Sequence, residues 1–315
     1  MTFTGTFIAV IQALLVIATA PLVAGMIHKT HARLEGRQGA SVLQPWRNLR
    51  KLLRKERIRP TTTSWVFQLT PIVALSTGII IAGIVPMLTT QLGPDPVGDL
   101  FMVVYLFLLG TVFLALGRLD TATAFGGMGA SREMIVSSLA EPAVLLSVFA
   151  LSVSAGSSNL GAISAMGISE PSSVLTPGNL LAFAALAVVT LAETGRMPID
   201  NPSTHLELTM IHEAMVLEYA GPDLAVIELA AQVKLTLFLG LLSSLFLPWG
   251  MATTTRPGDL ALAAVAVALK IVVLANVIAV IEVFVAKLRL FRVPELLAGS
   301  FLLSTLAVSA AFFLP

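Results

Sequence analysis

The chain has 315 residues, 56% of them hydrophobic and only 12% charged, where an average soluble domain carries about 25% charged residues. That deficit excludes an ordinary water-soluble fold, and a net charge of +1 whose basic residues gather in one loop beside a span excludes a nucleic-acid interface. With no cysteine, the chain has no means of holding an iron–sulfur cluster or a cysteine-built zinc or nickel site.

The first apolar run, Phe3 to Ile27, is long enough to cross a bilayer. No charge precedes it, and Pro21 directly follows the small-residue triplet Ala18-Thr19-Ala20. It therefore reads as a retained helix and not as a cleaved signal. Ten of the nineteen Lys and Arg residues then fall between His28 and Ser64. Within that loop, Leu49 to Glu56 is a short basic amphipathic stretch. It suits a place at the membrane surface against anionic lipid, or equally a seat under a partner subunit. Further apolar runs follow at 66–90, 98–117, 134–155, 178–195, 226–248, 260–286 and 294–314, the second and fourth of these being shorter. Between them lie Gly93-Pro94-Asp95-Pro96, Glu170-Pro171, Gly221-Pro222 and Arg256-Pro257, residues that break helices. The expectation is an all-α, polytopic membrane protein with about eight transmembrane helices, forming one integral domain over residues 1–315 with no internal repeat.

Lys and Arg distribute unevenly about these spans. With loop 28–65 in the cytoplasm, the loops at about 118–133, 196–225 and 287–293 share its side. That side then holds 16 basic residues, ten from the first loop plus Arg118, Arg132, Arg196, Lys287, Arg289 and Arg292, against Arg256 alone opposite. By the positive-inside rule both termini face away from the cytoplasm, across an inner, cytoplasmic membrane.

A charge at the centre of a span costs about 2.5–3.5 kcal/mol on insertion scales, so such residues face a protein interior or a wet cavity. Glu141, Glu193, Glu228, Lys234, Lys270 and Glu282 fall in or at the ends of spans. Glu228 and Lys234, six residues apart, sit about 120° from each other around a helix; Lys270 and Glu282 are separated by roughly 18 Å along one. Neither pair can close within its own helix, so each group looks to another helix or to water. Two roles are open for them: ion pairs that fix packing, or groups that pass protons.

The densest polar stretch runs from Glu193 to Tyr219. Pro198 and Pro202, four apart, keep its first part non-helical, and Ser203 or Thr204, with Glu207 following, is suited to start a helix. His205 and His212 would lie about 10 Å apart on it, too far for one metal, and His212-Glu213 lacks the second histidine of a metalloprotease helix. No metal site is expected. Acids and histidines at a membrane boundary suit a proton relay, or simply a solvated loop.

Here a resemblance becomes specific. Glu193-Thr194-Gly195-Arg196-Met197-Pro198-Ile199-Asp200-Asn201-Pro202, with Glu218-Tyr219 downstream, resembles the Glu-Thr-x-Arg-x-Pro-x-Asp-x-Pro signature of the complex I subunit 1 family. Arg37-Gln38-Gly39-Ala40, Leu43-Gln44-Pro45 and Lys51-Leu52-Leu53-Arg54-Lys55-Glu56 resemble that family's first cytoplasmic loop. Gly129-Ala130-Ser131-Arg132-Glu133, with Glu141 eight residues on, resembles a third family segment. After Pro202 the quinone-reducing branch continues Glu-Ala-Glu-Ser-Glu-Leu. This chain instead reads Ser203-Thr204-His205-Leu206-Glu207-Leu208-Thr209-Met210-Ile211-His212-Glu213, similar to the hydrogenase-4 and formate hydrogenlyase membrane subunits. Ala40 in place of the usual proline is a second departure from the quinone form.

The resemblance implies a membrane-anchoring, proton-coupling subunit without redox centres of its own. The nickel–iron centre and the iron–sulfur clusters would sit on hydrogenase-like large and small subunits and an iron–sulfur subunit, and antiporter-like membrane subunits would continue the ion path. Matching positions nominate Glu141, Glu193, Arg196, Asp200, Glu207, Glu213 and Glu218 for proton relay and coupling; Lys234 and Glu282 join them from the burial argument. Arg37, Gln44, Lys51, Lys55 and Glu56 are expected to dock partners. The competing readings are the quinone-site subunit of a respiratory NADH dehydrogenase, a stand-alone secondary transporter, and a passive anchor.

Overall fold

The computed structural model describes residues 3–91, 98–200 and 211–313. Among the described residues the chain is helical with no strands. It runs α1 (Phe3–Leu34), α2 (Gln44–Leu53), α3 (Trp65–Ile84), α4 (Leu100–Leu119), α5 (Ala124–Ala155), α6 (Leu160–Ser169), α7 (Pro171–Val174), α8 (Pro177–Glu193), α9 (Gly221–Phe246), α10 (Pro257–Phe284) and α11 (Val293–Phe313). Seven of these, α1, α3, α4, α5, α9, α10 and α11, are long and apolar enough to cross a membrane. With 17 mostly apolar residues in all, α8 reaches about 25 Å and meets the lower limit for an eighth span.

The helix starts follow local chemistry. Ser64, Asp99, Thr123, Asn159 and Thr176 each accept a backbone N–H at the first turn of α3, α4, α5, α6 and α8. Proline opens α9 and α10 at the Gly221-Pro222 and Arg256-Pro257 breaks.

Several boundaries differ from the sequence expectation. α1 continues to Leu34, beyond the expected end at Ile27. α3 stops at Ile84 because Pro86 cannot extend it, so the expected span 66–90 ends in extended chain. The expected loop 118–133 is mostly helix, since α5 begins at Ala124 and carries Arg132 and Glu133 in its third turn. The cause is steric. A Cβ on Gly129 would lie 2.9 Å from the Ala214 Cβ, so the small residues that looked like a loop are what lets α5 pack against the segment 211–215. The helix start expected at Ser203 or Thr204 lies outside the described residues.

Two helix groups share one core. α5 packs against α4, α8 and α11, while α9 packs against α1, α3, α10 and α8, and α3–α4 contacts join the groups. From Leu235 to Phe246 α9 is buried on every side, as a helix apolar all round must be. α10 instead shows Leu262, Val265, Leu269 and Val273 on an outer apolar stripe.

Extended chain inside a bilayer has to have its backbone groups satisfied by protein. Past α3 this is done by Gln12 of α1, whose side chain is 1% exposed. Its Nε2 donates to the Ala82 and Val85 carbonyls at 2.6 and 2.7 Å, and its Oε1 accepts from the Met87 and Leu88 amides at 3.3 and 3.0 Å. The extended segment then pairs with the chain beyond α9, Ala252 N–H donating to Leu88 O at 2.9 Å and Thr90 N–H to Ala252 O at 3.3 Å. Gln12→Leu strands these four groups, each costing about 1–3 kcal/mol when left unpaired in a buried setting. The variant is expected to melt several degrees lower in detergent than the parent, while Leu262→Ala on the outer stripe leaves the melting temperature unchanged; scanning fluorimetry of both checks this.

Candidate functional site

The site grows from the exit of α8. Gly195, at φ +59°, closes the helix in the left-handed conformation that favours glycine. Gly195 N–H donates to Ala192 O and Arg196 N–H to Leu191 O, at 3.1 and 2.8 Å, a Schellman ending. This sharp stop leaves Glu193 facing the bundle and turns Arg196 and Asp200 back toward α10.

Each of these groups meets an opposite charge. Glu193, 3% exposed, accepts a 2.7 Å hydrogen bond from Lys234 Nζ of α9. The same ammonium donates to Thr111 Oγ1 of α4 at 3.1 Å. Arg196 Nη1 donates to Glu282 Oε1 of α10 at 3.1 Å. Lys287 donates to Asp200 Oδ1 at 3.0 Å, and Asp200 Oδ2 accepts the backbone amides of Ile211 and His212 at 3.2 and 2.9 Å. Lys234 and Glu282, neither able to pair with the charged residue on its own helix, are thus paired with Glu193 and Arg196 across helices.

Two further acids on α5 complete the cluster. Glu133 is 5% exposed, and Glu141, eight residues and about 12 Å along the helix, is half-buried. Neither forms an ion pair among the described residues. Both, with Glu193, lie in the electrostatic field of Lys234. Glu141 Oε1 and Glu193 Oε1 are buried without a hydrogen-bond partner. An oxygen in that position is one that a proton or a water would satisfy.

Two cavities lie along this line. The larger, about 310 Å³, opens beside the exposed Ala40, Ser41 and Asn48 and reaches inward to Arg196, Asp200, His212, Glu228 and Gln232. The smaller, about 60 Å³, lies deeper and has mostly apolar walls, Phe107, Leu114 and Ile227 among them, into which Thr77, Thr111, Glu133, His212 and Lys234 bring polar groups. That exceeds the roughly 10–15 Å³ one water needs. A third cavity of about 400 Å³, between α1 and α10, is walled by aliphatic side chains such as Leu15, Val23, Val267 and Ile271 and has no titratable group in its lining.

The remaining nominated residues lie farther out. Glu218 is half-buried, in the field of Arg118. Glu213 contributes a backbone turn, Glu213–Met215, and Glu207 and His205 lie outside the described residues. Lys270 is apart from the cluster and donates to Leu247 O at the end of α9, at 2.5 Å. Arg37, Lys51, Lys55 and Glu56 are exposed on the basic face, where Arg37 pairs with Glu35, and Gln44 lines the mouth of the larger cavity. Among the described residues no group of three or more His, Asp and Glu side chains is placed to hold a metal.

Glu133, Thr111 and Arg118 belong to this region without having been nominated. Glu133 sits about 80° around the helix from Glu141, and so on nearly the same face, a signal hidden by reading its segment as loop. Arg118 is fully buried, with Nη2 donating to Ala214 O at 2.5 Å and the guanidinium 6.0 Å from the Tyr219 ring centre. Tyr219 stacks on Phe67 at 4.1 Å, and burial pushes its hydroxyl up to about 12, which keeps it neutral.

Comparison with known proteins places the whole chain. Residues 6–313 match the NADH dehydrogenase family. Formate hydrogenlyase subunit 4 of Escherichia coli (strain K12) is 36% identical over 92% of this chain and 94% of its own length. Hydrogenase-4 component C of the same organism is 31% identical over 95% of this chain and 93% of its own. In fold, a chain of the membrane-bound sulfane sulfur reductase, an archaeal respiratory membrane complex, superposes with a TM-score of 0.81 over 96% of this chain and 99% of that one, at 18% identity.

The Arg196–Glu282 pair yields a direct test of the geometry. The two side chains are 10% and 5% exposed, so removing one leaves the other as an uncompensated buried charge. Arg196→Leu is expected to cost about 3–5 kcal/mol, and Arg196→Leu/Glu282→Leu to recover most of it. A double-mutant cycle on thermal unfolding in detergent reads the coupling; additive losses would contradict the pairing.

Proposed function

This chain belongs to the NADH dehydrogenase family, and from that premise we propose that it is the proton-coupling membrane subunit of an energy-converting, hydrogenase-type complex of the formate hydrogenlyase kind. The observation that carries the reading is the Glu193–Lys234 pair, with Lys234 and Glu133 lining a small chamber among the spans that shares lining residues with a cavity open at the basic face. A carboxylate hydrogen-bonded to an ammonium is a store for one proton whose occupancy answers to nearby charge. Reduction chemistry at the basic face changes that charge, and the line Glu193, Lys234, Glu133, Glu141 carries the response into the membrane.

Electrons travel on other chains under this reading, because the sequence has no cysteine to hold a cluster. Hydrogenase-like large and small subunits and an iron–sulfur subunit, bearing the nickel–iron centre and clusters, dock on the basic face. Arg37, Lys51, Lys55 and Glu56 are exposed there for contact, and Gln44 lies at the cavity mouth. Antiporter-like membrane subunits take up the proton path beyond Glu141. The excess of Lys and Arg in these loops supports a cytoplasmic position for this face, with the termini on the other side of an inner membrane. Arg196, Asp200 and Glu282 hold the exit of α8 against α10. Glu207, Glu213 and Glu218 would continue the acid line toward the docked subunits.

The test uses the assembled complex in proteoliposomes, with redox turnover and proton movement measured separately. Glu193→Gln and Glu141→Gln are each expected to leave the subunits together and to reduce coupled proton movement by roughly a hundredfold, the scale of a lost proton-transfer group. A passive anchor would show parental coupling in both variants.

A further inference from the structure

The two cavities beside the acid cluster share part of their walls. Three side chains line both of them: Ile227, Ala231 and His212. The first two are aliphatic, so His212 alone of the three can take up and release a proton. We infer that His212 is the transfer group between the cavities, passing protons from the one open at the basic face to the Glu133–Lys234 chamber. The inference rests on the coupling role proposed above and adds to it the residue that joins the surface to the membrane interior.

Its surroundings hold the imidazole at that wall. Asp200 Oδ2 accepts the amides of both Ile211 and His212, fixing the backbone just where the side chain departs. Met215 N–H donates to His212 O at 3.0 Å, and Arg118 Nη2 grips Ala214 O one residue earlier. On the α8 side the ring meets Gly195. A Cβ there would stand 3.2 Å from His212 Cβ and 3.3 Å from Cγ, closer than ordinary van der Waals contact. Gly195 therefore ends α8 and leaves room for the imidazole at once.

The charged groups that face the wall fit the task. Arg196, Asp200 and Glu228 line the outer cavity with His212, and Glu133 and Lys234 line the inner one with it. A proton arriving from the outer cavity binds one ring nitrogen. The imidazolium then releases the proton on its other nitrogen toward the Glu133 carboxylate. One proton enters and one leaves, and exchange of tautomers restores the starting ring.

The experiment reads proton movement and redox turnover in proteoliposomes of the whole complex, with Glu193→Gln measured alongside as the marker of the coupling role. His212→Asn is expected to slow proton movement by roughly tenfold or more at unchanged subunit composition. His212→Ala is expected to be slowed likewise and partly restored by added imidazole, which a structural role for the ring would not produce. Gly195→Ala, which displaces the ring without removing it, is expected to slow proton movement as well. Parental proton movement in His212→Asn, or a loss in His212→Ala that imidazole leaves untouched, would overturn the inference. If Glu193→Gln still abolishes coupling in that case, the coupling role stands without His212; if Glu193→Gln also moves protons normally, both fall together.

Discussion

The cost of charge at low dielectric organises this molecule. Each carboxylate or ammonium among the spans has to be met by an opposite charge, a hydrogen bond or water. Among the described residues, the ion pairs at the exit of α8 join different helices or the chain just beyond them. Glu193 at the end of α8 meets Lys234 of α9, which also reaches Thr111 of α4. Arg196 meets Glu282 of α10, and Asp200 meets Lys287 just beyond it. The short polar exit of α8 is thus the knot that ties the α5 group to the α9 group. Moving a proton onto any of these acids alters an attraction that spans the bundle.

Ion pairs alone would suit a packing role as well as a proton role. The distinguishing features are those that packing does not require. Glu133 and Glu141 are carried on α5 without forming an ion pair among the described residues, Glu193 and Glu141 each bury an oxygen with no hydrogen-bond partner, and Glu133 and Lys234 line a cavity that could hold water. A bundle built only for stability would fill such spaces with apolar side chains, which is what the rest of α9 does between Leu235 and Phe246. The aliphatic cavity between α1 and α10 shows the contrast, having space but no group to carry a proton.

Much of this was legible in the sequence. Apolar runs and Pro and Gly breaks located the spans, because bilayer thickness and backbone satisfaction leave few alternatives. Helical spacing showed that Lys234 and Glu282 needed partners on other helices, and the structure supplies Glu193 and Arg196. What stayed hidden depended on tertiary contact. The glycine-rich stretch before Glu133 reads as a loop, whereas it is helix and Gly129 is where α5 packs tightly on Ala214, so Glu133 goes unnoticed in the sequence. Gln12 looked like an incidental polar residue in an apolar run. Its role appears only when the extended chain after α3 folds back beside it. The sequence offers His212 only as one of several acids and histidines suited to a relay or a solvated loop; the clamp by Asp200, twelve residues earlier, sets it at the wall of two cavities.

The central claim is that the acids among the spans exchange protons during turnover. Redox-triggered infrared difference spectroscopy of the assembled complex, in the carbonyl-stretch region of protonated carboxylic acids, observes this without relying on transport. The account predicts a turnover-dependent carboxylic band that disappears in Glu133→Gln or Glu141→Gln. A difference spectrum with no carboxylic band, or one identical in the parent and both variants, would contradict it.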